Sequence, residues 1–212
     1  MPKQSQDNTS DLYQIRYEKH QNKKRDQLAF SKGILNAPQL NKDDFVGFER
    51  VLQARRTQRT FISKPVEAEK LDILLKHASL CPSSCNRQAI TIKIVEHRHE
   101  KEILSGLLVG GVGWCHRADK LLLVFAHKQA YKAPGEINFM PYLDAGVVIQ
   151  QLYLSATALN LGIGYINPNL REENKKLFKD RFNPNDHIFC GTLALGYFNY
   201  KAEEAPKDRL TT

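Results

Sequence analysis

The stretch from Pro141 to Leu161 restricts the fold of this chain more than any other feature. It reads as a long helix with apolar residues on nearly every side, ended by Gly162. A helix without a solvent face has two places to go: the centre of a globular unit or a subunit interface.

Strands and helices alternate around it. Phe45, Phe48, Val51 and Leu52 recur at helical spacing, with Asp43 and Asp44 at the positive end of the dipole. Thr57, Thr60, Phe61 and Ile62 then favour extended backbone. After Pro65, an acidic turn with Glu67 and Glu69 opens a helix whose Leu71, Leu74, Leu75 and Ala78 share one face. Pro82-Ser83-Ser84 breaks that helix into a loop. Ile90 to Val95 alternates with period two, as in a strand with one buried face. A short helix is expected over Lys101–Val109, ending at Gly110-Gly111. Leu121 to Ala126 is a continuous apolar run, the pattern of a strand covered on both sides. Strands at 163–166 and 188–197 flank a solvated helix at Arg171–Asp180. No Gly-rich turn follows the first strand, and Gly110-Gly111-Val112-Gly113 follows a helix. The expectation is an α+β layered fold, not a parallel dinucleotide-binding sheet.

A chain of 212 residues, 42% hydrophobic and 25% charged, suits one globular unit that needs no disulfide or metal to fold. Residues 1–42 are rich in Gln, Asn, Lys and Asp, with scattered apolar points such as Tyr13, Ile15 and Phe30. They read as a partly helical or flexible extension, and residues 43–212 as the folded domain. The formal net charge of +8 comes from Lys and Arg interspersed with acidic residues. That favours phosphate-bearing small molecules over nucleic acid. Cys81, Cys85, Cys115 and Cys190 match neither a zinc pair nor a disulfide framework, so packing thiols in a reducing cytoplasm are expected. The polar N-terminus lacks an apolar signal core. The longest strongly apolar run, Leu121 to Ala126, is far short of the ~20 residues of a membrane span. His97-Arg98-His99 has no further ligand at a known spacing, so no metal is expected.

Three clusters carry the chemistry. Arg55-Arg56-Thr57-Gln58-Arg59 places guanidinium groups four residues apart at a helix end, where they reach the same side. Such groups bind phosphate through paired hydrogen bonds, and Thr57 adds a hydroxyl. The same run is also an ordinary solvated helix terminus. Pro82-Ser83-Ser84-Cys85-Asn86-Arg87-Gln88 offers hydroxyls and amides that both donate and accept; taken alone it is equally a turn. Pro206-Lys207-Asp208-Arg209 is either a second cationic site or a basic tail. Together the three describe a pocket for a polar, anionic small molecule.

In wording and order these clusters resemble the nitroreductase family of FMN flavoenzymes. Leu161-Gly162-Ile163-Gly164 resembles that family's L-G-L-G loop, and Tyr142-Leu143-Asp144-Ala145-Gly146 its Y-x-x-D-A-G helix start. The resemblance implies a central, mostly antiparallel sheet packed by helices, in a domain-entwined homodimer with FMN at each interface. It implies that Arg55 and Thr57 hold phosphate or ribityl, with Arg56 beside them, while Arg59 faces the flavin pyrimidine. Ser83 and Ser84 would reach the phosphate from the second subunit, Asn86 would meet the pyrimidine edge, and Gln88 closes the motif. Lys207 and Arg209 would clamp the phosphate. Asn167 and Asn169 belong to the loop that presents a backbone N–H to flavin N5. Pro168 has none, so Asn169 or Leu170 would supply it; a helix N-cap at Asn169 is the competing role. Asp144 reads as a first-turn dipole partner, not a catalytic acid. Where the family follows the 82–88 loop with Pro and an aromatic residue, this chain has Ala89-Ile90.

The implied activity is ping-pong hydride transfer from NADH or NADPH, through the flavin, to a nitroaromatic or quinone, with no protein general acid. The short span from Ala126 to Pro141 implies an open pocket with Tyr131 and Phe139 as aromatic walls. One alternative is another flavin reaction on the same fold, of reductive dehalogenase, flavin-fragmenting or azoline dehydrogenase type. The other is a basic binding module for nucleic acid or a partner protein.

Overall fold

The structure, a computed structural model, describes residues 38–132, 135–185 and 187–199. Its elements run α1 (Lys42–Ala54), α2 (Ala68–Ser79), β1 (Ile90–Val95), α3 (Arg98–Leu107), β2 (Lys120–Ala126), α4 (Met140–Ala158), β3 (Gly162–Ile166), α5 (Glu172–Phe182) and β4 (Ile188–Gly196). The strands form one sheet in the order β1-β2-β4-β3, and all three pairings are antiparallel. The layout is α+β, as expected.

The sheet separates two apolar layers, and its strand patterns follow from that. Leu122, Val124 and Ala126 of β2 join Leu74 and Leu75 of α2 and Leu152 and Ala156 of α4 on one side. Leu121, Leu123 and Phe125 join Leu104 and Leu107 of α3 and Phe178 and Phe182 of α5 on the other. With both faces covered, β2 cannot alternate in polarity, which explains its unbroken run. Each fully buried leucine contributes on the order of 2 kcal/mol.

α4 divides its apolar surface. Leu152 and Ala156 are completely buried, whereas Tyr142, Leu143 and Val147 are 45%, 58% and 43% exposed. α1 lies against α4 and opens on a capping box formed by Asn41 and Asp44. None of its residues is buried, and Phe45, Phe48 and Leu52 stand exposed along one stripe.

Two details depart from the sequence pattern. α3 begins at Arg98, not Lys101, and the Lys101 ammonium is drawn inside to donate to the carbonyls of Ala118 and Asp119 at 2.7 and 2.8 Å. A bulge interrupts the β2–β4 register between Val124 and Phe125. Opposite it Gly191 adopts φ +122°, where a Cβ would lie 2.4 Å from the Tyr165 ring. Residues 1–37 of the expected 1–42 extension and the Lys207–Arg209 cluster lie outside the described residues.

Candidate functional site

Arg55 ends α1 in extended conformation, and the chain then runs alongside β3. Thr57 pairs in parallel with Ile163, and the Gln58 N–H donates to the Ile163 carbonyl at 2.9 Å. Only glycine allows so close an approach. A Cβ on Gly164 would come within 2.3 Å of the Gln58 carbonyl oxygen, and one on Gly162 within 2.8 Å of the Phe198 ring. The Gly-x-Gly segment is therefore a strand making room for the cationic run, and its loop begins at Asn167.

The side chains of this run have separate seats. The Arg55 guanidinium lies 5.5 Å from the Tyr153 ring centroid. The Tyr153 hydroxyl accepts from the Tyr165 N–H at 2.8 Å and sits 3.5 Å from Thr57 Oγ1. Arg56 turns back on α1 and donates to the Gln53 and Arg55 carbonyls at 2.6 and 2.7 Å, which satisfies helix-end acceptors. Arg59 lies over Trp114, 5.9 Å from the ring centroid. Trp114 is itself fixed by Nε1–H donation to the Gly110 carbonyl at 2.8 Å and by stacking on Phe61. Sequence reasoning passed over Trp114; its one signal was its place beside the glycine-rich turn at 110–113.

The 82–88 loop is a strained turn. Cys85, Asn86 and Gln88 have φ of +49°, +52° and +49°, a region that costs a non-glycine residue on the order of 1 kcal/mol. Specific bonds hold it there. The Gln88 N–H donates to Ser83 Oγ at 2.8 Å, and Gln88 Nε2 reaches Asn86 Oδ1 at 3.4 Å. The Ser84 N–H donates to Asp144 Oδ1 at 2.8 Å. Arg87 donates to Ser84 Oγ at 3.1 Å and to both Glu136 carboxylate oxygens, at 2.9 and 3.2 Å.

Asp144 is not a first-turn dipole partner. It stands in the second turn of α4, buried, and its second oxygen accepts the Tyr131 hydroxyl at 2.9 Å. Tyr131 is therefore core and not a pocket wall, while Phe139 is 51% exposed. Burial, reinforced by the Asp144 carboxylate, pushes the Tyr131 phenol above its usual range, so it remains a donor.

After β3, the Asn169 N–H donates to Asn167 Oδ1 at 3.2 Å, and the Asn169 carbonyl accepts from Val109. Asn169 closes an Asx turn and does not cap α5; the cap position is Arg171, with no side-chain bond. With the Asn169 amide engaged, Leu170 is the better placed of the two to present a free N–H.

The structure thus brings Arg55, Thr57 and Arg59 to β3, which leads straight into the Asn167–Leu170 loop. It sets the 83–88 loop apart. The anchor of that loop, Asp144, and the seat of Arg55, Tyr153, lie nine residues apart on α4, about 13 Å along the helix axis. Among the described residues no group of three His, Cys, Asp or Glu side chains forms a metal site. All four cysteines are free, with burial pushing the Cys190 thiol up to about 12.

The chain belongs to the nitroreductase family, whose family model matches residues 52–112 and 108–197. It is 28% identical over 138 residues to the FMN reductase (NAD(P)H) of Bacillus subtilis (strain 168), covering 57% of this chain and 55% of that protein. It thus spans about half of that relative's length. A protein of Archaeoglobus fulgidus, provisionally named NADH dehydrogenase/NAD(P)H nitroreductase, is 24% identical over 149 residues, or 70% of this chain and 83% of its own. Among solved structures, a provisionally named nitroreductase of Desulfovibrio desulfuricans in complex with FMN superposes with a TM-score of 0.63 at 20% identity. That match covers 80% of this chain and 93% of the other and establishes the shared fold.

Proposed function

We propose that the protein is an FMN-dependent oxidoreductase that takes hydride from NADH or NADPH and reduces an electron-poor acceptor such as a nitroaromatic or quinone. The observation that carries this reading is the cationic run pinned against β3, directly beside the Asn167–Leu170 loop. Its donor set fits the cofactor: guanidinium and hydroxyl groups at Arg55 and Thr57 suit phosphate and ribityl. The Arg59 cation, on the Trp114 ring, suits a pyrimidine that becomes anionic on reduction. When bound, the flavin supplies the redox chemistry, in two half-reactions that share one site.

The chain's own residues orient and stabilise. Arg55 and Thr57 would anchor the phosphate end, the Leu170 N–H would serve the flavin nitrogen that accepts hydride, and Lys207 and Arg209 would complete the phosphate clamp. Ser83, Ser84, Asn86 and Gln88 serve the site of a second copy of the chain. The exposed apolar stripes of α1 and α4 support a homodimer that would unite the two separated clusters. Among the described residues no helix is long and apolar enough to cross a membrane, and a reducing cytoplasm suits four free thiols.

The test begins with the visible spectrum of the purified protein, before and after incubation with FMN. NADH and NADPH oxidation are then followed with nitrofurazone or a quinone as acceptor. Arg55→Ala should weaken FMN affinity about tenfold or more. A well-folded protein that binds no flavin would refute the proposal.

A further inference from the structure

We propose that Asp144 is a positioning residue that holds the 83–88 loop in its cofactor-facing shape, acting through the Ser84 amide and the Tyr131 hydroxyl. This rests on the reading that the loop contacts FMN. The loop cannot keep its form unaided, because three of its four residues from Cys85 to Gln88 occupy the left-handed region. Such conformations persist where the surroundings over-determine them and cluster at binding sites.

The residue that over-determines this one is Asp144. It is 5% exposed and lies on the inward side of α4. One carboxylate oxygen takes the Ser84 N–H at 2.8 Å, immediately before the run of positive φ. The other takes the hydroxyl of Tyr131, which follows the short turn after β2. The Arg87 guanidinium lies 5.6 Å from the Tyr131 ring centroid and bonds Ser84 Oγ on one side and Glu136 on the other. Two loops and one helix thus meet on a single buried carboxylate. A carboxylate at such a point is otherwise costly to bury, and both oxygens are used to hold backbone and phenol in fixed places.

The position on α4 matters as well. Leu143 and Val147, the neighbours of Asp144 on the helix surface, are exposed, and on the proposed reading they face the second subunit. Asp144 therefore references the loop to the same helix that meets the partner, so that Ser83, Ser84 and Asn86 arrive in register with the partner's cofactor.

The experiment compares FMN dissociation constants, by flavin fluorescence, for wild type, Asp144→Ala, Asp144→Asn and Tyr131→Phe, with circular dichroism and thermal unfolding of each apoprotein. Asp144→Ala should weaken FMN binding about tenfold or more while the protein stays folded at the titration temperature. Asp144→Asn retains an acceptor for the Ser84 amide and should restore affinity to within about threefold. Tyr131→Phe should fall between the two. A purely structural role would lower the unfolding temperature and leave the dissociation constant of the folded protein unchanged. An Asp144→Ala affinity within twofold of wild type overturns the inference, as does an Asn variant as weak as Ala. If the Ala variant does not fold, unaltered FMN affinity in Tyr131→Phe overturns it. Failure of the wild type to bind FMN at all sinks the underlying reading instead.

Discussion

Gly164 is the residue on which the cationic run depends most directly. A Cβ there would sit 2.3 Å from a backbone oxygen, that of Gln58, which cannot swing aside as a side chain can. Gly164→Ala should detach residues 57–59 from β3, destabilise the protein by roughly 2 kcal/mol or more and weaken FMN binding. Gly106 is the control, because nothing lies within 4 Å of a Cβ built there. In the last turn of α3, Gly106→Ala should be neutral or stabilise slightly. Urea unfolding and flavin titration of the two variants decide the matter; equal stability would remove the close-packing account. The sequence displayed Gly164 but not its purpose, since the Gln58 carbonyl that needs the space lies more than a hundred residues earlier in the chain. Trp114 and Asp144 were obscured in the same way. Their partners, Arg59 and the Ser84 amide, become neighbours only once the sheet has formed. The Arg55 and Thr57 positions were legible because a helix end and a polar run are local properties.

α3 and α5 are clasped by the Glu100–Arg181 pair, in which Arg181 Nε donates to Glu100 Oε2 at 2.9 Å and a second guanidinium nitrogen reaches Oε1. The Arg181 bond holds the Glu100 carboxyl below its usual 4.5. A carboxyl depressed on folding contributes stability above its unfolded value and loses that contribution as pH falls through the folded one. Arg181→Ala should therefore destabilise at neutral pH by no more than about 1 kcal/mol, since the pair is partly exposed and screened. The difference should vanish in acid, below both values, and urea midpoints at neutral and acid pH would reveal it. An equal loss at both pH values would rule out the pair as its source. At this scale the sequence was readable wherever one periodicity governed an element. The alternation of β1 and the unbroken run of β2 reflect burial on one side and on two, whereas the all-apolar α4 is buried on one face and open on another. It misplaced the start of α3 because Lys101 looks like a solvated residue, while its ammonium is held inside by two carbonyls.

Across the whole molecule, apolar surface is left open on two adjoining helices, and on the proposed reading one chain alone holds only part of the site. α1 buries nothing of its own, and α4 leaves Tyr142, Leu143 and Val147 open, a combination that fits a second copy. Placing a charge there, as in Phe48→Asp or Leu143→Asp, should shift sedimentation toward monomer and release flavin in parallel. Monomeric variants that keep full FMN affinity would show that the cofactor needs one chain alone. The pairing of Thr57 and Gln58 with β3 has a further consequence. β3 is the last strand of the sheet, and its outer border would otherwise present unpaired amides and carbonyls, a template on which another chain could add as a strand. The segment that carries the arginines also shields that border. Lesions that loosen it should therefore promote aggregation as they abolish ligand binding, and the two failures will travel together.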